Sequence, residues 1–157
     1  MTGANIQTQN LPAKSSKLFI IIACVALVGL ADAIYLTVQH VTGQSVRCTI
    51  VSGCSEVLSS SYASFNGVPL ALIGAIAYFA VFSLAILAAF SYPLVRKLLV
   101  VAVGLMFLTT LWLLYLQAFV IGHFCQFCLL SAAVTIVLSM LVVLISRSGP
   151  AKLNPRA

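Results

Sequence analysis

His123-Phe124-Cys125-Gln126-Phe127-Cys128-Leu129-Leu130 opens the last long apolar stretch of the chain, residues 126–145, which contains no charged side chain. About twenty apolar residues suffice to cross a bilayer as a helix, so this stretch is read as a membrane span. Both thiols of the C-x-x-C then fall in its first turn, at the boundary between water and lipid. Cysteines three apart share a helix face and can close a small disulfide ring. The unpaired N–H groups and positive dipole end at that turn favour a thiolate. Two plainer readings stay open: small hydrophobes packed in a core, or half of a zinc site.

Outward from this stretch, the composition has the same character. The 157 residues are 62% apolar and 6% charged, with a mean hydropathy of +1.18. That excludes an ordinary soluble domain and predicts an all-α integral membrane protein, a four-transmembrane-helix bundle. Spans are expected at about residues 18–39, 68–90, 98–121 and 126–145. Residues 1–16 read as a disordered polar tail, 17–146 as one membrane domain, and 147–157 as a second tail. The first apolar run is too long for a signal-peptide core and lacks a small-x-small cleavage site, so it is kept as a span.

The net charge of +6 comes from eight basic residues that form no nucleic-acid patch. Lys14, Lys17, Arg96, Lys97, Arg147, Lys152 and Arg156 fall on one side of the predicted spans, and Arg47 alone falls on the other. The positive-inside rule places both termini in the cytoplasm, as four spans require. Cys48, Cys54, Cys125 and Cys128 then lie at the opposite, oxidising face, where disulfides persist. Cys24, deep in the first span, is read as packing. Asp32, the one acid within a span, is read either as a proton-transferring or orienting group or as a bundle-facing structural residue, wetted, protonated or paired with Arg47.

The loop between the first two spans carries Cys48 and Cys54, with Gly53 beside the second. Such a pair can bridge internally or reach another disulfide. Residues 55–61 read as a short helix on the bundle top with Ser55 as its cap, and Pro69 suits the first turn of the second span. Trp112, Tyr115 and Phe119 share one face of the third span. They form either an interfacial aromatic belt or the wall of a pocket beside Cys128. Gln117 and His123 are the polar candidates nearby. The histidine is either a surface residue or a group that stabilises a thiolate or passes a proton.

A loop Cys, then Gly-Cys-Ser-Glu-Val-Leu-Ser-Ser-x-Tyr-Ala, then Asn-Gly-Val-Pro-Leu-Ala-Leu-Ile-Gly-Ala-Ile-Ala-Tyr, and finally Phe-Cys-Gln-Phe-Cys on a last helix, resembles the bacterial vitamin K epoxide reductase homologues. The resemblance covers residues 29 to about 139, without a fused thioredoxin-like module. It implies that Cys48 and Cys54 are a shuttle pair, Cys125 and Cys128 a membrane-edge pair, and Ser60 the active-site serine. Gly74 and Tyr78 match its second-span pattern. Leu70 and Ala132 stand where vertebrate members carry polar side chains on the quinone side. Epoxide reduction is therefore less well matched than disulfide formation.

The expected activity is that of a membrane thiol oxidase in the bacterial inner membrane, with its active site at the periplasmic or extracellular face. A reduced periplasmic thioredoxin-fold protein delivers electrons to Cys48, releasing Cys54, which attacks Cys125 and frees Cys128 to face a membrane quinone of the ubiquinone or menaquinone type. Leu70, Trp112, Tyr115, Phe119 and Ala132 join Cys128 as the expected quinone-binding residues, and no resident metal is expected. The alternative is a small four-helix transporter coupled through Asp32, or a metal-binding membrane protein with structural disulfides.

Overall fold

A computed structural model of the chain describes residues 13–43, 53–90 and 92–147. The chain runs through α1 (Ala13–Val41), α2 (Cys54–Ser59), β1 (Ser64–Phe65), β2 (Val68–Pro69), α3 (Leu70–Ala89), α4 (Pro93–Tyr115) and α5 (Gln126–Arg147). From Leu116 to Ile121 α4 continues as a π-helical turn, closed by Gly122 in the left-handed region. Among the described residues, four helices are long and apolar enough to cross a membrane: α1, α3, α4 with its π turn, and α5. Their outer surfaces carry exposed Ile, Leu, Val and Phe, as a lipid-facing surface requires.

The bounds differ from the sequence expectation at several ends, each for a local reason. Helix α1 begins at Ala13, inside the expected tail. Val68 and Pro69 belong to a two-residue antiparallel hairpin, so α3 starts at Leu70 with Pro69 as its flanking residue. Asn66 and Gly67, both at positive φ, make the tight turn that suits such a hairpin. Pro93 occupies the first turn of α4, drawing Arg96 and Lys97 into that helix. In α2 the cap is Gly53, with no side-chain bond, and Ser55 lies inside the helix.

Helix α1 packs on α3 and α5, and α4 packs on the same two, so α1 and α4 occupy opposite corners. Close approach rests on small residues, the usual basis of helix packing in lipid. A side chain at Gly29 would enter the Tyr78 ring, so α1 and α3 meet at this depth only through glycine. The fully buried Tyr78 donates to the Ser131 carbonyl at 2.9 Å and lies 2.8 Å and 3.0 Å from the Ser131 and Thr135 hydroxyls, tying α3 to α5.

The two ends of the bundle have opposite chemistry. Lys17, Arg96, Lys97 and Arg147 lie at the end where α1 and α4 begin and α5 finishes. There the Arg96 guanidinium stands 5.9 Å from the Phe19 ring centre and donates to the Ile145 carbonyl. At the other end lie α2, the hairpin, the π turn and the start of α5. Cys24 is exposed on α1, facing outward rather than packed in the core as the sequence reading expected.

Candidate functional site

The start of α5 is built around Cys125. Its carbonyl accepts the first helical bond, from the Leu129 N–H at 2.9 Å, which makes Cys125 the N-cap and Gln126 the first helical residue. Cys128 is then the third residue of the helix, and its N–H donates to Cys125 Sγ at 3.4 Å. This is the bond that a serine or threonine oxygen makes in an ordinary N-cap, with sulfur in its place. The Cys125 N–H is in turn satisfied by Gln117 Oε1 at 3.1 Å, reaching from the π turn.

These bonds decide which sulfur carries charge. Cys125 is lowered to about 7, first by the hydrogen bond from the Cys128 side chain, against the upward push of burial, with the Cys128 and Phe127 N–H groups assisting. Asp32 opposes the ionisation. The helix start thus favours the thiolate at Cys125, the capping position.

Cys54 begins α2 and is disulfide-bonded, whereas Cys125 and Cys128 are free thiols. Cys48, Arg47 and the loop before Gly53 lie outside the described residues. Cys54 and Cys125 are both fully buried and share one cluster with Leu36 and Val57, flanked by Leu58, Ala71, Ile121, Phe127 and Cys128. Gly53 enables this approach. A Cβ there would stand 2.7 Å from the Phe124 carbonyl oxygen and 2.9 Å from His123 Cβ, closer than real contacts allow. Loop and C-x-x-C turn therefore meet backbone to backbone. Tyr35 and Phe127, with ring centres 5.2 Å apart, brace α1 against the same turn.

Beneath this cluster lies an apolar cavity of about 150 Å³. An apolar cavity of that order holds a benzene-sized ring. Its wall is formed by Ala33 and Leu36 of α1, Leu70, Ala71 and Gly74 of α3, Thr110, Leu113 and Leu114 of α4, Gln117 and Ile121 of the π turn, and Cys128, Ser131 and Ala132 of α5. Val57, Leu58, Ser60, Tyr62, Ala63 and His40 close it from above. Of the expected quinone-side residues, Cys128, Leu70 and Ala132 line this cavity.

The aromatic stripe does not. Trp112, Tyr115 and Phe119 are 60%, 50% and 77% exposed and stack on one another along the outside of α4. Helical spacing put them on one face, but that face points away from the bundle, and Thr110, Leu113, Leu114 and Gln117 supply the inner one. Of the two readings open for them, the outward-facing aromatic belt holds and the expected place in the quinone-side wall does not. His123 is exposed at the loop contact and is not part of the cavity wall. Ser60 does line the cavity, while its hydroxyl donates to the Val57 carbonyl at 2.6 Å and closes α2.

Asp32 is buried on the same α1 face as Gly29, Ala33 and Leu36, and its Oδ2 has no hydrogen-bond partner among the described residues. Sequence reasoning did not assign Gln117 its capping role or Ser131 its place in the wall. The available signal was a lone amide in an apolar span, because an amide at membrane depth needs a partner.

The residues present suit a flat, apolar redox partner: the cavity is ring-sized, mostly hydrocarbon, and opens onto a reduced thiol. The sequence matches the vitamin K epoxide reductase family over residues 20–143. That region takes in α3 and α4 whole, most of α1 and α5, and α2, the hairpin and the C-x-x-C. This multi-pass, four-helix membrane protein therefore belongs to the vitamin K epoxide reductase family, a family of membrane oxidoreductases.

Proposed function

We propose that the protein is a thiol oxidase that forms disulfides in a periplasmic thioredoxin-fold partner and passes the electrons to a membrane quinone. The observation that carries this reading is the shared burial of disulfide-bonded Cys54 with free Cys125, directly above a cavity walled by Cys128. A thiol exchange needs the attacking sulfur to reach one member of a disulfide, and one buried cluster holds the two sulfurs that must meet.

In the proposed cycle a thiolate of the partner attacks Cys48, displacing Cys54. Cys54 attacks Cys125 in the oxidised inner pair, displacing Cys128. Once the partner's second thiol attacks its own sulfur in the mixed disulfide, closing the partner's disulfide and releasing Cys48, Cys48 recaptures Cys54 and leaves Cys125 and Cys128 reduced, the redox state in which they stand here. Closing the Cys125–Cys128 disulfide again gives up two electrons and, with Cys125 ionised, the one proton of Cys128; together with a second proton from water these would reduce a bound quinone to its quinol. Cys125, capped and lowered to about 7, holds the charge and draws on the Cys128 proton. The cavity wall is mostly apolar and includes Cys128, which is the proposed exit for the electrons. Ser60 is proposed to order the cavity roof. The positive-inside pattern supports the proposed orientation, with the basic end in the cytoplasm of a bacterial inner membrane and the thiol end outside. A four-thiolate metal site is disfavoured, because a disulfide-bonded Cys54 has no thiolate to give.

The test is disulfide mapping by mass spectrometry on membranes of a Cys48→Ala variant. A Cys54–Cys125 bond should accumulate, because the competing loop bridge has been removed. If Cys54 is found only reduced while Cys125 and Cys128 cycle normally, the proposed electron route fails.

A further inference from the structure

Resting on the quinone reading above, we infer that Gln117 is the hydrogen-bond donor that holds a quinone carbonyl in the cavity beside Cys128. Four observations carry it. Gln117 is 4% exposed, yet it belongs to the cavity wall, so the little surface it keeps faces the cavity. The orientation of its amide is fixed by chemistry: the Cys125 N–H can only donate, so Oε1 must face it. The NH₂ group, with two donors, therefore points the other way, and no partner for it occurs among the described residues. The same side chain is two hydrogen bonds from Cys128, through the Cys125 N–H at 3.1 Å and Cys125 Sγ at 3.4 Å.

Thr110, Tyr62 and His40 of the wall also carry donors, but among the described residues only Gln117 is hydrogen-bonded to the C-x-x-C turn, and several other wall positions are poorer donors. Leu70 and Ala132 have no polar atom, and the hydroxyls of Ser60 and Ser131 are engaged with Val57 and Tyr78. The π turn gives the arrangement its geometry. An extra residue in that turn rotates Gln117 into the bundle, where it caps α5 and faces the cavity at once. A carbonyl oxygen gains negative charge as a quinone is reduced, and a fixed N–H aimed at it in a water-poor cavity favours that state. Gln117 would thus couple the position of the ring to the position of the reacting thiols.

The experiment uses the full chain in detergent, with menadione as the probe and Gln117→Glu and Gln117→Met as variants. Measured at a pH where it is ionised, glutamate keeps an acceptor for the Cys125 N–H but loses the donors, whereas methionine loses both. Menadione binding, followed by fluorescence quenching, should weaken about tenfold in either variant, the worth of one buried hydrogen bond. Only Gln117→Met should also lower the thermal midpoint. Infrared spectra of carbonyl-labelled menadione should show a downshifted stretch on wild-type protein that returns toward the free value in Gln117→Met. This second readout stands even if Gln117→Glu does not fold. Wild-type-like binding in both variants, or a carbonyl stretch unchanged by Gln117→Met, would overturn the assignment of Gln117 alone. Failure of the wild-type protein to bind menadione or any other quinone would remove the quinone reading and this inference with it.

Discussion

The two halves of the bundle solve different problems with the same four helices. In the basic half, Phe19, Ile22, Ala26, Val81, Ala85, Ala88 and Leu138 are buried almost completely, and alanines recur along the inner face of α3. Apolar side chains do not drive helices together in lipid, so close approach through small residues must do it. In the thiol half the packing opens into a cavity, a helix widens to a π turn, and the chain leaves helical geometry between Gly122 and Cys125. Irregular backbone at membrane depth survives only where protein or a cavity covers it. The difference teaches that rigidity is concentrated below the site, and that the site itself is made of exceptions to regular packing.

The comparison is broken most severely at Cys128. Cys128→Ala should reduce quinone reduction to the background rate in a stopped-flow assay while leaving the thermal midpoint near wild type, because only one atom of the half-buried wall is lost. Retained quinone reduction would make the C-x-x-C structural. Gly53→Ala comes next. Its Cβ would press on the Phe124 carbonyl at 2.7 Å, so the backbone must shift and Cys54 moves relative to Cys125. A displacement near 1 Å costs about 10²-fold in a reaction that depends on alignment. Transfer between the two thiol pairs, measured by quenched-flow trapping, should fall by about that factor, with the basic half unaffected.

Much of this was legible in the chain. Four apolar runs of spanning length and the sidedness of Lys and Arg foretold the four-helix membrane fold and its two unlike ends. The cysteine order, with the Gly-Cys-Ser-Glu and Asn-Gly-Val-Pro stretches, foretold the family. The cavity wall was legible only in part, because a span that is apolar all round has no polar face to mark its orientation. Trp112, Tyr115 and Phe119 were chosen for size and spacing. Their 3.6-residue period is shared by the neighbouring stripe through Thr110, Leu113 and Gln117, and only tertiary packing separates the two. The π turn has no composition signal, so the burial of both Leu116 and Gln117 could not be read from periodicity. Cys125 as an N-cap was hidden for a related reason: sulfur is not among the usual capping atoms.

A milder way to sharpen the comparison is to titrate the thiol half. Cys125 is lowered to about 7, mainly by its bond from the Cys128 side chain. Raising the pH through about 7 should therefore convert it to thiolate, earlier than an ordinary thiol, which ionises at about 8.5. Ultraviolet thiolate absorbance of the reduced protein should show that midpoint. In Cys128→Ala the first cause is removed while burial remains, so the midpoint should move upward, toward or past the ordinary value. An unchanged midpoint would mean that the cap N–H groups alone set the ionisation.

The smallest effect is expected where the two halves meet, at Tyr78. Its hydroxyl lies within 3.0 Å of the Ser131 carbonyl, the Ser131 hydroxyl and the Thr135 hydroxyl. Its ring fills the space that Gly29 leaves open. Tyr78→Phe keeps the ring and removes only the polar contacts. Interhelical hydrogen bonds in membrane proteins contribute about 0.6 kcal/mol on average and about 1.7 at most. The Thr135 hydroxyl stays satisfied within α5, where it already donates to the Ser131 carbonyl at 3.0 Å. A loss of about 1 kcal/mol in reversible unfolding from mixed micelles is therefore expected. Because Ser131 also lines the cavity, freeing its hydroxyl should change menadione affinity by about threefold or less, on the scale of a fraction of one hydrogen bond. A loss of several kcal/mol would show that the tyrosine hydroxyl, and not small-residue packing, holds α3 to α5. An effect on affinity as large as that expected for Gln117→Met would move the dividing line between rigid base and working site one turn deeper into the bundle.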